Sequence, residues 1–597
     1  MNNNKNVLFA VALAAAVLFL WQYFVATPSM KAEQARQASL SHQEKAKPSA
    51  APVLPGIAEG TSHMTREAAL KAGGARVVID TPMVDGSILL KGARLDDLRL
   101  KNYHDTVDPK SPEIVLLAPK STDYPYYATF GWIGGPSSNN QTMPDDTSEW
   151  RQTNGAVLSP GHPVTLSWDN GHGLVFTRVI AIDDKYLFTV TDSVVNRGGA
   201  PVNLFPYGTV ERQSIPKTVT TWVLHEGFVG VAGGSEIDAK YSDFKDPGTP
   251  PKNFSSTGGW VGITDKYWMA AIVPPQGENF NGAYLGAKTP AGADAYQANY
   301  RLEARRIAPG ASASVTHRLF AGAKVVDILR AYQDSQNIIH FDNAVDWGMF
   351  FFLTRPFFWL LDTLNKVLGN FGLAILALTV IVKLIFFPLQ SASFRSMSKM
   401  KKLQPQMEEL KKAHKDDSQK LQMAMMELYK REKANPVSGC LPILLTIPVF
   451  FSLYKVLAVT IEMRHAPFHG WIRDLSAPDP TSILNLFGLI PYDPHAVLPA
   501  FMSYLSIGIW PILYGITQWV QMKLNPPPPD PVQAKMFSFM PVIFTFMFAT
   551  FPAGLVIYYA WSNLLNVIQQ AFIMKREGVE IALFDNIRPK KIKAAND

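Results

Sequence analysis

A chain of 597 residues with a charged fraction of 18% has room for more than one domain, and its apolar residues are concentrated in long uninterrupted runs. The single cysteine, Cys440, excludes an intrachain disulfide. Without clustered Cys/His pairs or a Gly-rich phosphate loop, the sequence predicts no metal, no other cofactor and no catalytic centre. The net charge of +7 is confined to a few segments, which is typical of cytoplasmic membrane-protein loops rather than of a specific DNA binder.

Residues 7–26 form the first apolar run, which is about as long as a helix needs to cross a hydrocarbon core. The alternative is a cleaved signal peptide, whose apolar region would be shorter and would end in small residues, whereas Phe24 stands close to the end of this run. We therefore predict that residues 1–26 are a retained transmembrane anchor.

Residues 27–65 are rich in Ala, Gln, Lys, Ser and Pro, which predicts a flexible tether outside the cytoplasm.

Residues 66–345 contain short runs of β-type residues, such as 87–95, separated by turn signals. This pattern predicts a large all-β sandwich domain. The histidines between positions 63 and 317 are scattered, and we interpret them as ordinary surface or core residues: His63, His104, His162, His172, His225 and His317.

Residues 346–370 combine many aromatic side chains with sparse charges, which after Asp346 are on Arg355, Asp362 and Lys366. Such a segment is typical of an amphipathic helix that lies in the plane of the membrane interface. The alternative, an additional membrane span, is less compatible with those charges and with Pro356.

Five further apolar runs follow in the C-terminal half of the chain, and the last two are close enough to form a hairpin. They cover residues 371–389, 441–461, 497–520, 537–551 and 554–573. Together with the anchor they predict six transmembrane helices, five of which form a helical core over residues 371–574.

The orientation follows from the distribution of Lys and Arg. Residues 391–440 contain eleven of them, and the tail, residues 575–597, contains six, whereas the segment between the third and fourth spans has only Arg464 and Arg473. Positive charge marks cytoplasmic loops, so both chain termini are predicted to be cytoplasmic and the β domain to lie outside. Lys31 and Arg36 oppose this orientation, but the rule is weaker for long translocated domains.

Lys383 is the one charged residue in the run 371–389, and an ionisable side chain within a span marks a functional site by default. Thr379 stands four residues earlier, on the same helix face. The alternative is a lysine without a task that merely extends its side chain to the cytoplasmic interface. That interface is about eight residues away along the helix.

The last span contains a second polar stripe, in which Tyr559, Asn563, Asn566 and Gln570 recur at helical spacing. We expect these residues to face the same cavity as Lys383. The alternative is that the amides only hold the helices together. Thr446 in the third span and two glutamines in the fourth, Gln518 and Gln521, are further candidates for the same cavity.

Residues 391–440 form a predicted cytoplasmic hairpin of two helices around residues 414–417, with Ser418 as the N-cap of the second helix. Its methionines offer a deformable apolar surface for varied partners, or they pack the two helices together: Met397, Met400, Met407, Met423, Met425 and Met426. The basic tail suits non-specific contact with ribosomal RNA or anionic lipid.

Long stretches of the chain resemble the YidC/Oxa/Alb family of membrane protein insertases, in its Gram-negative form with a large periplasmic domain. The resemblance rests on LTVIVKLIFFPL, SMSKMKKLQPQM, LYKREKANPVSGCLPILLTIPVFFSLY, APFHGWIRDLSAPDP, KMFSFMPVIFTFMFATFPAGLVIYY and SNLLNVIQQ. GGWVGITDKYWMAAIVPP and VDWGMFFFLTRPFFWLL extend it into the outer domain, so it covers nearly the whole chain apart from the tether and the tail.

This resemblance implies an inner-membrane insertase, not an enzyme, whose five-span core encloses a polar groove open to the cytoplasm and to lipid. It implies that nascent membrane proteins are the clients, that the Sec translocase is a partner, and that the outer domain is a β-supersandwich. A secondary transporter is the main alternative, but the repeated halves and paired broken helices typical of that class are not evident.

The resemblance also implies roles for individual residues. Lys383 corresponds to the groove cation, Thr379 to a groove hydroxyl and Tyr559 to a substrate-contacting aromatic residue. Clients that leave along the third and fifth spans would contact Phe450 and Met547. The chain departs from the family pattern at position 383, where many members have Arg, and at position 550, where threonine replaces a large aromatic residue.

Overall fold

The computed structural model describes most of the chain between residues 63 and 581. The described residues are 63–135, 141–215, 224–246, 248–289, 292–414, 417–432, 441–490, 492, 505–525, 531–579 and 581, without the side chains of 418, 422, 441–446 and 531–534. The predicted anchor at 1–26, most of the tether, Cys440 and the tail beyond 581 lie outside these ranges.

The described residues belong to two compact units. One is formed within Lys47–Asp346 together with Val459–Glu462, and the other within Trp347–Ala458 and Met463–Asp597. The first unit is built mainly of strands and the second of helices.

The β-rich unit confirms the predicted large β domain. Its strands are β1 Arg76–Asp80, β2 Val84–Leu89, β3 Arg94–His104, β4 Glu113–Leu117, β5 Tyr126–Gly134, β6 Arg151–Asn154, β7 Val157–Leu158, β8 Val164–Asp169, β9 Leu174–Ile182, β10 Leu187–Asn196, β11 Val202–Gln213, β12 Gly227–Ala232, β13 Ser235–Glu236, β14 Ala239–Lys240, β15 Lys252–Thr257, β16 Trp260–Thr264, β17 Trp268–Val273, β18 Asn279–Lys288, β19 Asp294–Leu302, β20 Arg305–Ile307 and β21 Ser312–Ala323. Helices α1 (Arg66–Ala72) and α2 (Val326–Gln336) flank the strands in sequence.

The strands form two sheets, one with 11 strands in the order β15-β18-β19-β11-β5-β3-β2-β1-β7 and one with 10 in the order β13-β12-β16-β17-β21-β10-β9-β8-β6. Strands β4, β20 and β14 pair beside these paths. The pairing is antiparallel except between β1 and β7. Strand β9 alternates between buried and partly buried residues along its whole length, as expected where one sheet face covers a core.

Side chains join the two sheets across the core. The Tyr126 hydroxyl in β5 donates to the carbonyl of Ile263 in β16 at 2.7 Å. Arg178 in β9 is 1% exposed, donates to the carbonyls of Ala93 and Phe130, and pairs with Asp192 at 2.6 Å. A buried guanidinium is tolerated because these acceptors and the carboxylate replace its lost hydration.

The helical unit begins with the segment predicted to lie at the membrane interface. Its helices are α3 Phe351–Leu368, α4 Phe371–Lys402, α5 Gln404–Ala413, α6 Ser418–Arg431, α7 Leu441–Val459, α8 Ile509–Leu524, α9 Pro531–Phe548 and α10 Ala553–Arg576. In α3, Phe358 and Leu361 are buried whereas Phe352 and Trp359 are exposed, so the helix has two different faces.

Among the described helices, one is long and apolar enough by itself to cross a membrane, and it is α4. Shorter apolar stretches are Ile447–Val459 in α7 and Lys535–Phe548 in α9. Helix α10 has 24 residues, but its polar stripe lowers its hydropathy. The number of six spans therefore stays a prediction.

Two boundaries in and beside the predicted hairpin differ from those that the sequence pattern predicts. Helix α4 does not end near residue 389 but continues through Pro388 to Lys402. Its 32 residues correspond to about 48 Å, longer than a hydrocarbon core of about 30 Å, so its basic last turns extend beyond an apolar layer. The N-cap of α6 is Asp417 rather than Ser418, because the Asp417 carboxylate accepts the Lys420 amide.

The fourth apolar run, at 497–520, was predicted to be helical throughout, but α8 begins only at Ile509. Residues 497–504 lie outside the described ranges. The start of α8 is held by two side chains: the Thr481 hydroxyl accepts the Ile509 amide at 3.0 Å, and Asp479 accepts the Trp510 amide at 2.9 Å. These acceptors satisfy amides that a helix start leaves unpaired.

Candidate functional site

Lys383 in α4 and Asn566 in α10 form the centre of a polar cluster. The Lys383 ammonium donates a hydrogen bond of 2.7 Å to Oδ1 of Asn566. No acidic side chain among the described residues lies within ion-pair distance of the Lys383 nitrogen. The cation is therefore held by a neutral partner, and its charge is not cancelled locally.

The stripe on α10 also reaches α8. Asn563 donates to Oε1 of Gln518 at 2.9 Å, and Gln521 donates to Oε1 of Gln570 at 2.6 Å. Gln570 in turn donates to Asn525, just after α8. The predicted convergence of these stripes is thus present, and hydrogen bonds between side-chain amides join the helices.

Towards the basic end of α4, Gln569 of α10 donates to the Ser391 hydroxyl at 3.0 Å. Oε1 of Gln390, next to Ser391, is buried without a hydrogen-bond partner in the described part of the chain. Ser391 and Asn525 were not among the predicted site residues. Ser391 could have been predicted from the sequence, because polar residues follow the apolar stretch of α4 directly, in the run Gln-Ser-Ala-Ser at 390–393.

Of the two threonines predicted to line the groove, the structure describes the side chain of Thr379 but not that of Thr446. Thr379 is 1% exposed, and its hydroxyl donates to the Ile375 carbonyl at 2.7 Å. A hydroxyl in an apolar helix often satisfies itself in this way, on the carbonyl four residues earlier. The backbone of Thr446 belongs to α7, but its side chain lies outside the described residues.

Tyr559 lies in a cluster of aromatic rings contributed by four helices. Its ring stacks on Phe450 of α7 with centroids 4.8 Å apart, and it also meets Phe548 of α9 and Tyr514 of α8. The Tyr559 hydroxyl is buried and has no hydrogen-bond partner among the described groups. Tyr514 and Phe548 were not among the predicted site residues, since aromatic residues in spans usually face lipid or core without further significance.

On α9, Met547 is exposed, and its contact with clients stays a prediction. Thr550, two residues after α9, is also exposed and donates to the Met547 carbonyl at 3.1 Å. Thr550 therefore contacts the backbone of Met547 and leaves the Met547 side chain exposed.

The hairpin methionines divide into two groups. Met407 and Met425 are buried with Leu403 and Leu428 between α5 and α6, and Met400 packs against them. Met423 and Met426 on α6 are exposed, 65% and 53% respectively. Met397, on α4, has its sulfur 4.0 Å from the Ser393 hydroxyl. The first group thus packs the two helices together, whereas contact of the exposed methionines with partners stays a prediction.

The β-rich unit has a cavity of about 410 Å³ on the 11-stranded sheet, lined by Tyr127, Trp150 and Glu211 among others. The Glu211 carboxylate is engaged with the Tyr127 hydroxyl and with Gln297 at 2.9 Å. In the described ranges, no group of three or more His, Cys, Asp and Glu side chains could hold a metal ion.

Comparison with known families gives two matches along the chain. Residues 76–360 match the model described as the YidC periplasmic domain, and residues 363–579 match the 60Kd inner membrane protein model. The β-rich unit and the helical unit thus correspond to a periplasmic domain and to an inner-membrane domain.

Similar proteins cover the chain from end to end. Membrane protein insertase YidC of Methylobacterium radiotolerans is 49% identical, over 98% of this chain and 97% of the relative. The protein of the same name from Rhizobium meliloti is 50% identical, with 98% of both chains covered. A solved structure described as an active YidC insertase with its first transmembrane domain resolved is 18% identical, covering 86% of this chain and 94% of that one, with a TM-score of 0.35.

These relatives are insertases, a class without a catalysed covalent reaction, and none of them supports the alternative of a secondary transporter. The function is therefore the insertion of proteins into the inner membrane. On these matches, the chain belongs to the YidC family of membrane protein insertases.

Proposed function

We propose that the polar side chains between α4, α8 and α10 line the groove through which this insertase moves the hydrophilic part of a client, and that Lys383 supplies its positive charge. The observation that carries the proposal is the hydrogen bond between the Lys383 ammonium and the neutral amide of Asn566. A cation paired with an amide keeps its charge available, whereas a carboxylate partner would cancel it.

The mechanism follows from the cost of moving polar groups through hydrocarbon. A short hydrophilic tail enters the groove from the cytoplasm, and side-chain amides and water replace the hydration that it loses. An acidic tail is also attracted by Lys383. The tail then crosses a shorter apolar barrier, and the transfer of the client's apolar span into lipid drives the step.

Each remaining predicted residue has a part in this proposal. Asn563 and Gln521 exchange their helix-to-helix hydrogen bonds for bonds to the client. Tyr559, stacked on Phe450, forms the apolar end of the groove, and Met547 lies where a client span meets lipid. Thr379 packs the helix face beside Lys383, and Thr446 is proposed to line the same space.

The partners are proposed from two exposed methionines of α6, from the charge of the tail and from the family of the chain. Met423 and Met426 offer apolar, adaptable contacts to incoming client segments on the cytoplasmic side. The basic tail at 575–597 contacts the ribosome or anionic lipid by charge, and the membrane core cooperates with the Sec translocase. These contacts rest on charge and family resemblance.

The topology is proposed to have six spans, with both chain termini in the cytoplasm and residues 66–345 in the periplasm. Residues 1–26 form the anchor, 27–65 the tether, 346–370 the interfacial helix, and 371–574 the core with its cytoplasmic hairpin at 391–440. The basic last turn of α4, with Lys399, Lys401 and Lys402, supports a cytoplasmic hairpin.

Photo-crosslinking to a stalled nascent client with an acidic tail tests the groove. A photoreactive residue replaces Asn563, which leaves the Lys383–Asn566 pair intact, and the matched control replaces the exposed Ile385 on α4. We expect crosslinks to the hydrophilic tail from position 563 and none from 385. A tail that crosslinks equally from both positions, or only from 385, contradicts the proposal.

Cysteine labelling of intact cells tests the topology. The chain's one thiol, Cys440, is replaced by serine, and a cysteine is introduced at Ser41, Ser476 or Lys590. A membrane-impermeant reagent should label positions 41 and 476 and leave 590 unlabelled until the cells are opened. Labelling at 590 in intact cells, or none at 476, rules out six spans.

A further inference from the structure

The segment between α7 and α8 contains a tight loop whose apolar side chains point away from the protein. In residues 483–490 the sequence reads Ile-Leu-Asn-Leu-Phe-Gly-Leu-Ile, and no Asp, Glu, Lys or Arg occurs between positions 480 and 492. Leu489 is 83% exposed and Leu486 is 54% exposed, and Phe487 and Ile490 are exposed as well. A soluble loop rarely presents so many adjacent large apolar side chains.

Asn485 holds this loop in one conformation from inside. It is 4% exposed, and its Oδ1 accepts the amides of Ser482 at 3.1 Å and Gly488 at 2.9 Å. Its Nδ2 donates to the carbonyl of Tyr492 at 3.2 Å. The Tyr492 hydroxyl closes the loop by donating to the Leu484 carbonyl at 2.7 Å.

The backbone of the loop is strained at two of its exposed residues. Leu486 and Phe487 both have left-handed backbone angles, with φ of 50° and 57°. Residues with side chains avoid this region, and two in succession persist only where the surroundings enforce them. The loop therefore keeps its apolar side chains outward against both the strain and the cost of exposing them to water.

The base of the loop is fixed to the start of α8. The Ile483 amide donates to the Ile507 carbonyl at 3.0 Å, and Thr481, two residues earlier, caps α8 through Ile509. Trp510, in the first turn of α8, has its amide bound by Asp479. Tryptophan and tyrosine at the end of an apolar helix are typical of the membrane interface.

We propose that residues 483–490 form a preorganised apolar wedge that inserts into the outer leaflet of the membrane beside the start of α8. Lipid is the occupant that fits, because the wedge is uncharged, lies next to the end of an apolar helix and is closed by Tyr492, two residues beyond it. The wedge anchors the outer end of α8. The inference rests on the proposed topology, which puts this segment on the outer side.

The test uses the full chain in lipid nanodiscs with one copy in each disc, with Cys440→Ser as the background. An environment-sensitive fluorophore is attached to Leu489→Cys, and to Phe487→Cys in a second preparation. The matched control is Arg473→Cys, an exposed polar position of the same segment. Quenching is measured with nitroxides on lipid acyl chains and with iodide in the water, which reaches both faces of a disc.

We expect the probes at 489 and 487 to be quenched at least twofold more by the acyl-chain nitroxides than the probe at 473, and to be shielded from iodide. Quenching by iodide and not by lipid would mean that the loop faces water. Quenching by neither would mean that protein covers it. Both results overturn the wedge, and because both faces are accessible, neither depends on the orientation of the chain or on the groove.

Discussion

The ammonium of Lys383 lies 2.7 Å from Oδ1 of Asn566, so the charge within α4 is held by an amide of α10 and not by a carboxylate. An amide accepts the hydrogen bond without cancelling the charge. The pair therefore joins two helices and leaves a positive potential in the proposed groove, and the next two predictions separate these effects.

Substitution of Lys383 tests the charge itself. Lys383→Arg should keep insertion, because the positive charge and hydrogen-bond donors remain. Lys383→Ala should lower insertion of a client with an acidic tail at least about tenfold, since a charge-assisted interaction of about 1.5–3 kcal/mol is lost. Lys383→Glu should lower it further through repulsion. Insertion is measured in cells depleted of the native protein, with expression levels matched, and a fully active Ala variant would contradict the groove role.

Asn566→Asp tests whether insertion requires that the Lys383 charge is not neutralised by a nearby carboxylate. The substitution keeps the shape and the acceptor of the side chain but places a carboxylate against Lys383, so helix packing is preserved while the potential falls. We expect insertion of acidic-tailed clients to fall at least as far as in Lys383→Ala, with the melting temperature unchanged or raised. Asn566→Gln is the matched neutral control. Equal insertion by the Asp and Gln variants would show that only the helix contact matters.

Asp479 is expected to be the main stabilising residue of the segment before α8. Its Oδ1 accepts hydrogen bonds from the Trp471 indole N–H and from the backbone amide and the hydroxyl of Thr481. Its Oδ2 accepts the Trp510 amide. Asp479→Ala should lower the unfolding free energy of the helical unit by about 2–3 kcal/mol, because several buried donors lose their acceptor. Thermal unfolding in detergent measures the effect.

Asp479→Asn provides a graded comparison for the same site. It keeps Oδ1 but presents an amide donor to the Trp510 N–H, so its loss should be intermediate. The exposed Arg473→Ala is the control and should leave the melting temperature unchanged. If Ala and Asn variants melt together at the wild-type temperature, Asp479 does not hold the start of α8.

The polar stripes were predictable because residues repeat along a helix with a period of about 3.6. Lys383, Asn563, Asn566 and Gln570 fall on such stripes, and the structure brings them together. The exact partners were not predictable, since spacing within one helix does not specify the register between two helices. The pairing of Asn563 with Gln518 depends on that register.

Boundaries were harder to predict than elements. Residues 87–95 form one run of β-type residues in the sequence, but the chain turns at 90–93, where Gly92 and Ala93 have φ of 75° and 47°. A non-glycine residue with positive φ has no reliable sequence signal. The start of α8 also had no local sequence signal. Its capping side chains, Asp479 and Thr481, lie about thirty residues earlier in the chain and not next to the helix.

Deletion of residues 75–323 should reduce insertion only modestly, because the polar side chains of the proposed groove all follow position 370. The deletion ends before α2, since the Val326 amide donates to Glu462 at 3.2 Å and this contact is kept. Insertion of a client is measured in depleted cells, beside the full chain at matched expression. A stably expressed deletion variant that inserts nothing would assign the β-rich unit a direct role.

The last prediction concerns His317, which is buried in the β-rich unit between Tyr300 and Asp192. The Tyr300 hydroxyl is 2.5 Å from Nδ1 of His317, and Nε2 is 3.9 Å from Asp192, which pairs with Arg178. Burial lowers the pKa of His317 to about 4, the nearby Arg178 adds to this, and Asp192 opposes it. The histidine is therefore neutral in the folded domain at pH 5, but it is protonated in the unfolded chain.

The sign of the pH effect follows from that difference. Between the unfolded pKa of about 6.5 and the folded pKa of about 4, the unfolded state binds the additional proton, so stability falls as the pH falls. From pH 7 to pH 5 the loss from His317 is about 2 kcal/mol. Asp238 acts in the opposite direction, because burial and then the charge of Asp346 raise its pKa to about 6 and the folded state gains the proton.

Comparison of variants isolates the histidine from this opposing effect. Urea unfolding of the β-rich unit in the detergent-solubilised full chain is followed by pulse proteolysis at pH 7 and pH 5. His317→Gln removes the titration and should make stability fall less, or rise, on going to pH 5. Asp238→Asn should make the acid-induced loss larger than in the wild type. The comparison concerns the change between the two pH values and not the absolute stability, so a general weakening of the core by either substitution does not affect it. Parallel pH dependence in the wild type and in His317→Gln would mean that His317 is not held neutral by its burial.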